Sequence, residues 1–314
     1  MNMRRVNTHG LWAGLNNSQI DLKDLDAAIL GIPHDDAVFF RKGAAKAPKL
    51  IREFSVFVPP VLEDGTFLNN LVVRDVGDFL LTKNINDSHS KVRQKILALR
   101  KHTVPVVIGG DHSVSIPVIS ALSEHFAPDN IGIVYFDAHP DLNDVFEGSK
   151  LSHACVLRRA LENKNIHAKN IILIGVRSFE KEEVEFLKQS KIEFYTAQDV
   201  YNKGVKWIAR RIRKKMSRLK HVYMDVDIDC LDPAFAPSTG IPDAGGLSTR
   251  ELLEIMNGIA KLNFVGFNVV EVAPPLDPSH ITSFAATKII VEFLGILQRK
   301  KKPTSIWASW RKKS

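Results

Sequence analysis

The feature that most constrains this chain is its alternation of short, β-branched apolar runs with longer amphipathic segments, from residue 27 to residue 297. The runs predict strands at Ala27–Ile32, Val104–Ile108, Ile131–Phe136, Ile171–Gly175, Ile192–Tyr195, His221–Val226 and Phe264–Val270. Between them the helical period predicts helices near 47–57, 86–100, 114–125, 152–163, 181–189, 198–216, 249–261 and 280–297. Strands that are apolar on both faces belong in a sheet buried under helices on each side. The expected fold class is therefore α/β, a three-layer αβα sandwich with a mainly parallel central sheet. No internal repeat, linker or shift in composition divides the 314 residues, so a single domain over 1–314 is expected.

Composition narrows the setting. Hydrophobic residues are 45 % of the chain and charged residues 25 %, the mix of a chain with a large core. No run of strongly apolar residues comes near the roughly 18 that span a bilayer, and no membrane association is expected. The arginines near the N-terminus are not followed by an apolar stretch, so no signal peptide is read there. Cys155 and Cys230 are too few for a disulfide framework, which points to a reducing, cytoplasmic compartment. The formal charge of +8 raises the question of a polyanionic partner. Seven Lys and Arg and no acid lie in residues 299–314, so the rest of the chain carries about +1. The reading is a near-neutral body with a basic C-terminal tail, in which Trp307 and Trp310 interleave with the charges, and no nucleic-acid partner is expected.

Polar, glycine-rich and acidic clusters follow four of the strands: GGDHS at 109–113, DAHPD at 137–141, DVDIDCLDP at 225–233 and EVAPP at 271–275. In a parallel sheet such strand ends share one edge, where open α/β folds build their sites. Asp137, His139 and Asp141 alternate, so an extended backbone points all three to one side. Asp227 and Asp229 repeat the alternation, and His112 joins them from the first cluster. A lone Asp-x-Asp is often only a cap or a turn. Three clusters on one edge, giving several carboxylates and two imidazoles without thiolates, make a metal site of the Mn²⁺ type. So many carboxylates exceed what one ion needs, and fit a bridged pair about 3.5–4 Å apart that lowers the pKa of a shared water.

GGDHS, FDAHPD and DVDIDCLDP resemble the three signature blocks of the ureohydrolase family of arginases and agmatinases, and segments 137–162 and 265–295 are most similar to the agmatinase branch. The resemblance implies that His112, Asp137, His139, Asp141, Asp227 and Asp229 ligate two Mn²⁺ ions. Asp232-Pro233 sets the register of the last block and leaves Asp225 as a supporting residue. Asp137 and Asp227 are the implied bridges, with His112 and Asp141 on one ion and His139 and Asp229 on the other. It further implies that Glu271 holds the substrate guanidinium and that His153 shuttles a proton to the departing amine. The implied reaction is hydrolysis of a guanidino compound to urea and an amine. Agmatine giving putrescine is the first expectation; arginase, guanidinobutyrase or another guanidino specificity is the alternative.

Substrate-tail contacts are expected from Asn143 and Asp144 in the loop after the metal block, with Glu147 beside them and Asp35 and Asp36 as another rim. Asp225 stands where the family often has Ser, and Asn268 where Asp is common. A trimer or hexamer is implied by the resemblance alone. Two other functions compete: a single-zinc deacetylase of similar architecture, disfavoured by the six-ligand set, and a polyanion-binding protein acting through the tail.

Overall fold

A computed structural model of the chain describes residues 10–79, 81–82 and 84–301. Eight strands form one sheet: β1 (Ala27–Gly31), β2 (Val73–Asp78), β3 (Val104–Ile108), β4 (Ile131–Phe136), β5 (Ile166–Val176), β6 (Glu193–Thr196), β7 (His221–Asp227) and β8 (Phe264–Val270). Their order is β2-β1-β3-β8-β7-β4-β5-β6, and every neighbouring pair is parallel. The helices are α1 (Ala47–Ser55), α2 (Ile85–Leu97), α3 (Ser115–Phe126), α4 (Val156–Ala160), α5 (Lys181–Gln189), α6 (Ala197–Lys203), α7 (Val205–Met216), α8 (Thr249–Gly258) and α9 (Ile281–Lys301).

The sheet is filled from both faces, as the doubly apolar strands require. Val134 and Phe136 of β4 join a core with α1, α6, α7, α8 and α9. Ile133 and Tyr135, pointing the other way, join a second core with α2, α3, α4 and α5. Each fully buried large side chain contributes roughly 1.5–3 kcal/mol of transfer free energy. The three-layer expectation is met, and the sheet is parallel throughout.

Differences from the sequence reading have local causes. β2, sequence VRDVGD, was not foreseen, because an edge strand rich in charge and glycine lacks the apolar signature of a buried one. The helix expected over 198–216 is two helices, broken at Gly204, which has φ 79° and ends α6. The stretch Ile281–Lys300 is long and apolar enough to cross a bilayer, contrary to the reading that no such run exists, but 78 % of its apolar window is buried inside the fold. It is the core helix α9, covering α1 and α8. The basic tail does not start at 299 as a separate segment. Arg299 lies in the last turns of α9 and faces Asp64 at 3.5 Å and Glu292 at 3.6 Å. Residues 302–314, with Trp307 and Trp310, lie outside the described residues.

Candidate metal centre

The sheet order sets β3, β8, β7 and β4 side by side, and these are the four strands that carry the polar clusters. Each chain segment then turns sharply at the same edge. Gly110 permits the first turn, since a Cβ there would fall 1.7 Å from the His34 carbonyl oxygen. Asp111 fixes it by accepting from Ser113 N at 3.0 Å and Ala37 N at 3.0 Å. Asp141 and Glu271 have positive φ, 52° and 62°, although neither is glycine. Backbone strain of this kind persists only where surroundings enforce it, and it clusters at functional sites.

The six expected ligands come together in two overlapping groups. His112 Nδ1 lies 3.1 Å from Asp137 Oδ2, 3.2 Å from Asp141 Oδ2 and 2.9 Å from Asp227 Oδ2. His139 Nδ1 lies 3.4 Å from Asp137 Oδ1 and 3.1 Å from Asp229 Oδ2. Asp137 thus faces both imidazoles, one oxygen to each, as an expected bridge should. Asp227, the other expected bridge, faces the His112 imidazole with Oδ2, and its Oδ1 accepts from Asp229 N at 2.8 Å. Backbone N–H groups aim the other carboxylates too: His139 N to Asp137 Oδ1 at 2.6 Å, and Ala138 N to Asp229 Oδ1 at 3.0 Å.

Charge balance tests whether cations fit here. Asp137 is fully buried, yet no hydrogen-bond donor is aligned with its Oδ2. Burial, reinforced by the neighbouring carboxylates, pushes Asp141 and Asp227 well above the usual carboxylate range. Burial would keep His139 neutral, but Asp229 and Asp137 overcome it and push the imidazole up to about 12. A cluster that draws positive charge this strongly, built from oxygen and imidazole donors, fits a pair of divalent ions.

Around the ligands stand residues that sequence reasoning missed. Tyr135 stacks on the His112 ring, with centroids 4.9 Å apart, and donates its hydroxyl to Asp141 at 2.7 Å. Arg177 holds the carbonyls of Asp229 at 2.7 Å and Asp243 at 2.6 Å, fixing the loop after β7. Glu183 accepts from Leu142 N at 2.9 Å and so ties the β4 loop to α5. Tyr135 sits just before the FDAHPD block, where its alternation with Asp137 was the available signal; nothing local marks Arg177 or Glu183.

The centre floors a cavity of about 210 Å³. Glu271 lines it; its Oε1 accepts from His112 N at 2.7 Å, and burial, then the charge of Asp111, raises its pKa to about 8. His153 lines it as well, its Nδ1 donating to the Ala37 carbonyl, which leaves Nε2 to exchange a proton. Burial lowers the His153 pKa, so the ring is neutral at rest. Phe39, Phe40, Phe146, Phe179 and Ile241 form the mouth.

Of the expected tail contacts, Asn143 lines the cavity and Asp144 does not. The Asp144 carboxylate turns to Arg159, 2.5 Å away, with Arg158 and Lys150 nearby, so it is satisfied within the protein. Asp35 accepts from Gly43 N at 2.9 Å as a turn-former. Asp36 pairs with Lys42 at 2.6 Å and, with Glu147, borders a neighbouring cavity instead. Cys155 and Cys230 are free and buried.

A parallel αβα sandwich with a two-centre carboxylate–imidazole site at its strand ends defines a class of metal-dependent hydrolases. Residues 25–295 match the family model described as "Arginase family". The chain is 36 % identical over 287 residues to the agmatinase of Bacillus subtilis, covering 88 % of this chain and 93 % of that one. It is 31 % identical over 286 residues to the guanidinobutyrase of Pseudomonas aeruginosa, covering 89 % of each. The solved structure of proclavaminate amidino hydrolase from Streptomyces clavuligerus superposes with a TM-score of 0.86 at 31 % identity, over 93 % of this chain and 97 % of that one. The chain belongs to the arginase family and is a ureohydrolase acting on a guanidino compound.

Proposed function

We propose that this ureohydrolase uses two Mn²⁺ ions to hydrolyse agmatine to urea and putrescine. The observation that carries the substrate reading is the charge of the cavity. Among its described lining residues there is no Lys or Arg, while the exposed Glu180 joins the phenylalanines and the buried Glu183, whose oxygens accept from Leu142 N and Glu180 N, adds negative charge behind them. Arg41, the nearest cation in sequence to the mouth residues, is occupied by the Thr239 and Gly240 carbonyls at 2.8 and 3.0 Å. Such walls favour the distal ammonium of agmatine and disfavour the carboxylate of arginine or guanidinobutyrate, which would be buried without a partner. Aromatic faces add attraction for a cation. Similarity to agmatinases supports the same choice, and similarity to a guanidinobutyrase makes that acid the main competitor.

In this reading two ions would be held by His112, Asp137, His139, Asp141, Asp227 and Asp229, and would supply an activated water for attack on the guanidinium carbon. The chain's own groups do the rest. Glu271 binds the planar guanidinium; the incoming cation favours its ionised form, and paired N–H donors orient the reacting carbon. His153 Nε2 takes up a proton released from the consumed water and delivers it to the leaving amine nitrogen, without which the amine departs poorly. The phenylalanine mouth excludes bulk water and packs the four-carbon chain. The proposal extends to a cytoplasmic enzyme, in keeping with two reduced cysteines, and to a trimer or hexamer. Phe57, Ile281 and Phe284, 47 %, 50 % and 44 % exposed near the packed pair α1 and α9, are apolar surface of the kind oligomers cover.

Urea release from agmatine, guanidinobutyrate, guanidinopropionate, arginine and guanidine, each with Mn²⁺ present, tests the substrate. The highest kcat/KM is expected for agmatine. A higher value for either guanidino acid overturns the substrate choice and leaves the family intact.

A further inference from the structure

Behind His112, away from the carboxylate cluster, lies a buried charge that the reaction described above does not use. Asp225, near the end of β7, is fully buried. Its Oδ2 accepts the Tyr223 hydroxyl at 2.8 Å and lies 3.5 Å from His112 Nε2. That separation is a charge contact, longer than a formed hydrogen bond. His112 Nε2 and Asp225 Oδ1 are both buried without any hydrogen-bond partner. One neutral hydroxyl does not compensate a buried carboxylate, and among the described residues the basic group that forms a charge contact with it is the far edge of the His112 ring.

The strand pairing explains why no other carboxylate shares this role. Asp225 is the register partner of Asn268 on β8. Register partners in a parallel sheet present side chains to the same face, about 4.8 Å apart. Asn268 is neutral and donates its Nδ2 to Ser115 Oγ at 2.9 Å, while Asp225 Oδ1 has no hydrogen-bond partner. Of this register pair, the charge behind His112 comes from β7.

We propose that Asp225 is a positioning residue of the metal centre. Its carboxylate, 3.5 Å from Nε2, favours the His112 tautomer that carries its proton on that nitrogen, which leaves the Nδ1 lone pair to face Asp137, Asp141 and Asp227. Tyr223 holds the carboxylate in place, and Tyr135, stacked on the ring, keeps the imidazole plane aligned. A carboxylate on the far nitrogen of a ligating histidine fixes its orientation and raises its basicity. The effect falls on the ion beside His112 and not on the one beside His139, whose Nδ1 contacts are to Asp137 and Asp229. The inference holds whichever guanidino compound is cleaved.

The experiment is calorimetric titration of metal-stripped full-length protein with Mn²⁺, together with the thermal midpoint of the stripped form. Asp225→Asn is expected to weaken one of the two ions by about 10–100-fold and leave the other unchanged, without lowering that midpoint, because a buried charge has been removed. Tyr223→Phe, which keeps the ring packing, is the second variant should the first fail to fold. It is expected to weaken the same single ion by a smaller factor. Two ions bound as tightly as in the wild type, or both weakened alike, would overturn the proposal.

Discussion

The two halves of the metal centre are built from the same donor types but sit in different surroundings. The His112 half is sealed: its imidazole is buried, stacked on Tyr135, backed by Asp225 and faced by three carboxylates. The His139 half is open: its side chain is 25 % exposed and is faced by only Asp137 and Asp229. Both halves line the cavity, but the first is a buried anchor and the second is the more solvent-exposed one. Sealing costs more desolvation, and it is tolerated only with the denser set of opposite charges. Asp137 joins the two halves, Glu271 is tied to the sealed one through His112 N, and His153 lies at the cavity wall.

That contrast is broken most directly at the shared residue. Asp137→Ala is expected to empty both halves: metal content falls toward zero and urea release becomes undetectable. Elemental analysis after dialysis reads the first, and a variant that keeps one full ion would show that the halves are independent. A smaller effect is expected at the wall. His153→Asn leaves both ions in place but removes the proton carrier, so kcat falls by about 10²–10⁴-fold with KM little changed. Steady-state kinetics on agmatine separates the two parameters. A change confined to KM would assign His153 to binding instead.

How much of this was legible in sequence follows from the same contrast. β3, β4 and β8 match their expected bounds because buried parallel strands are apolar on both faces. The candidate cluster was legible because alternation within an extended strand end is a local property, and the structure brings all six expected residues together. Residues that act across the fold were not. Asp144 looked like an acid for a substrate cation, but Arg159, 15 residues on, claims it once α4 folds back. Arg177 reaches the β7 loop from the end of β5, a relation that exists only after sheet assembly. Tyr223 and Asp225 alternate with Asp227 in plain view, yet only the folded arrangement sets their polar groups behind His112.

The smallest of these effects is expected at Glu271, and it sharpens the contrast by separating binding from metal retention. Its Oε1 already accepts from His112 N, so one oxygen is committed to the sealed half. Glu271→Gln keeps a carbonyl oxygen for that contact, and both ions should remain bound. What it loses is charge. A hydrogen bond to a charged group contributes about 1.5–3 kcal/mol, so the KM for agmatine should rise by about 10–100-fold while metal content stays at the wild-type level. The neutral side chain also removes a carboxylate whose pKa is raised to about 8 by burial and Asp111, so the variant should be no less stable than the wild type without substrate. Normal turnover in this variant would refute the guanidinium role. Loss of one ion would instead show that Glu271 acts through the sealed half, by holding the His112 backbone where the metal needs it.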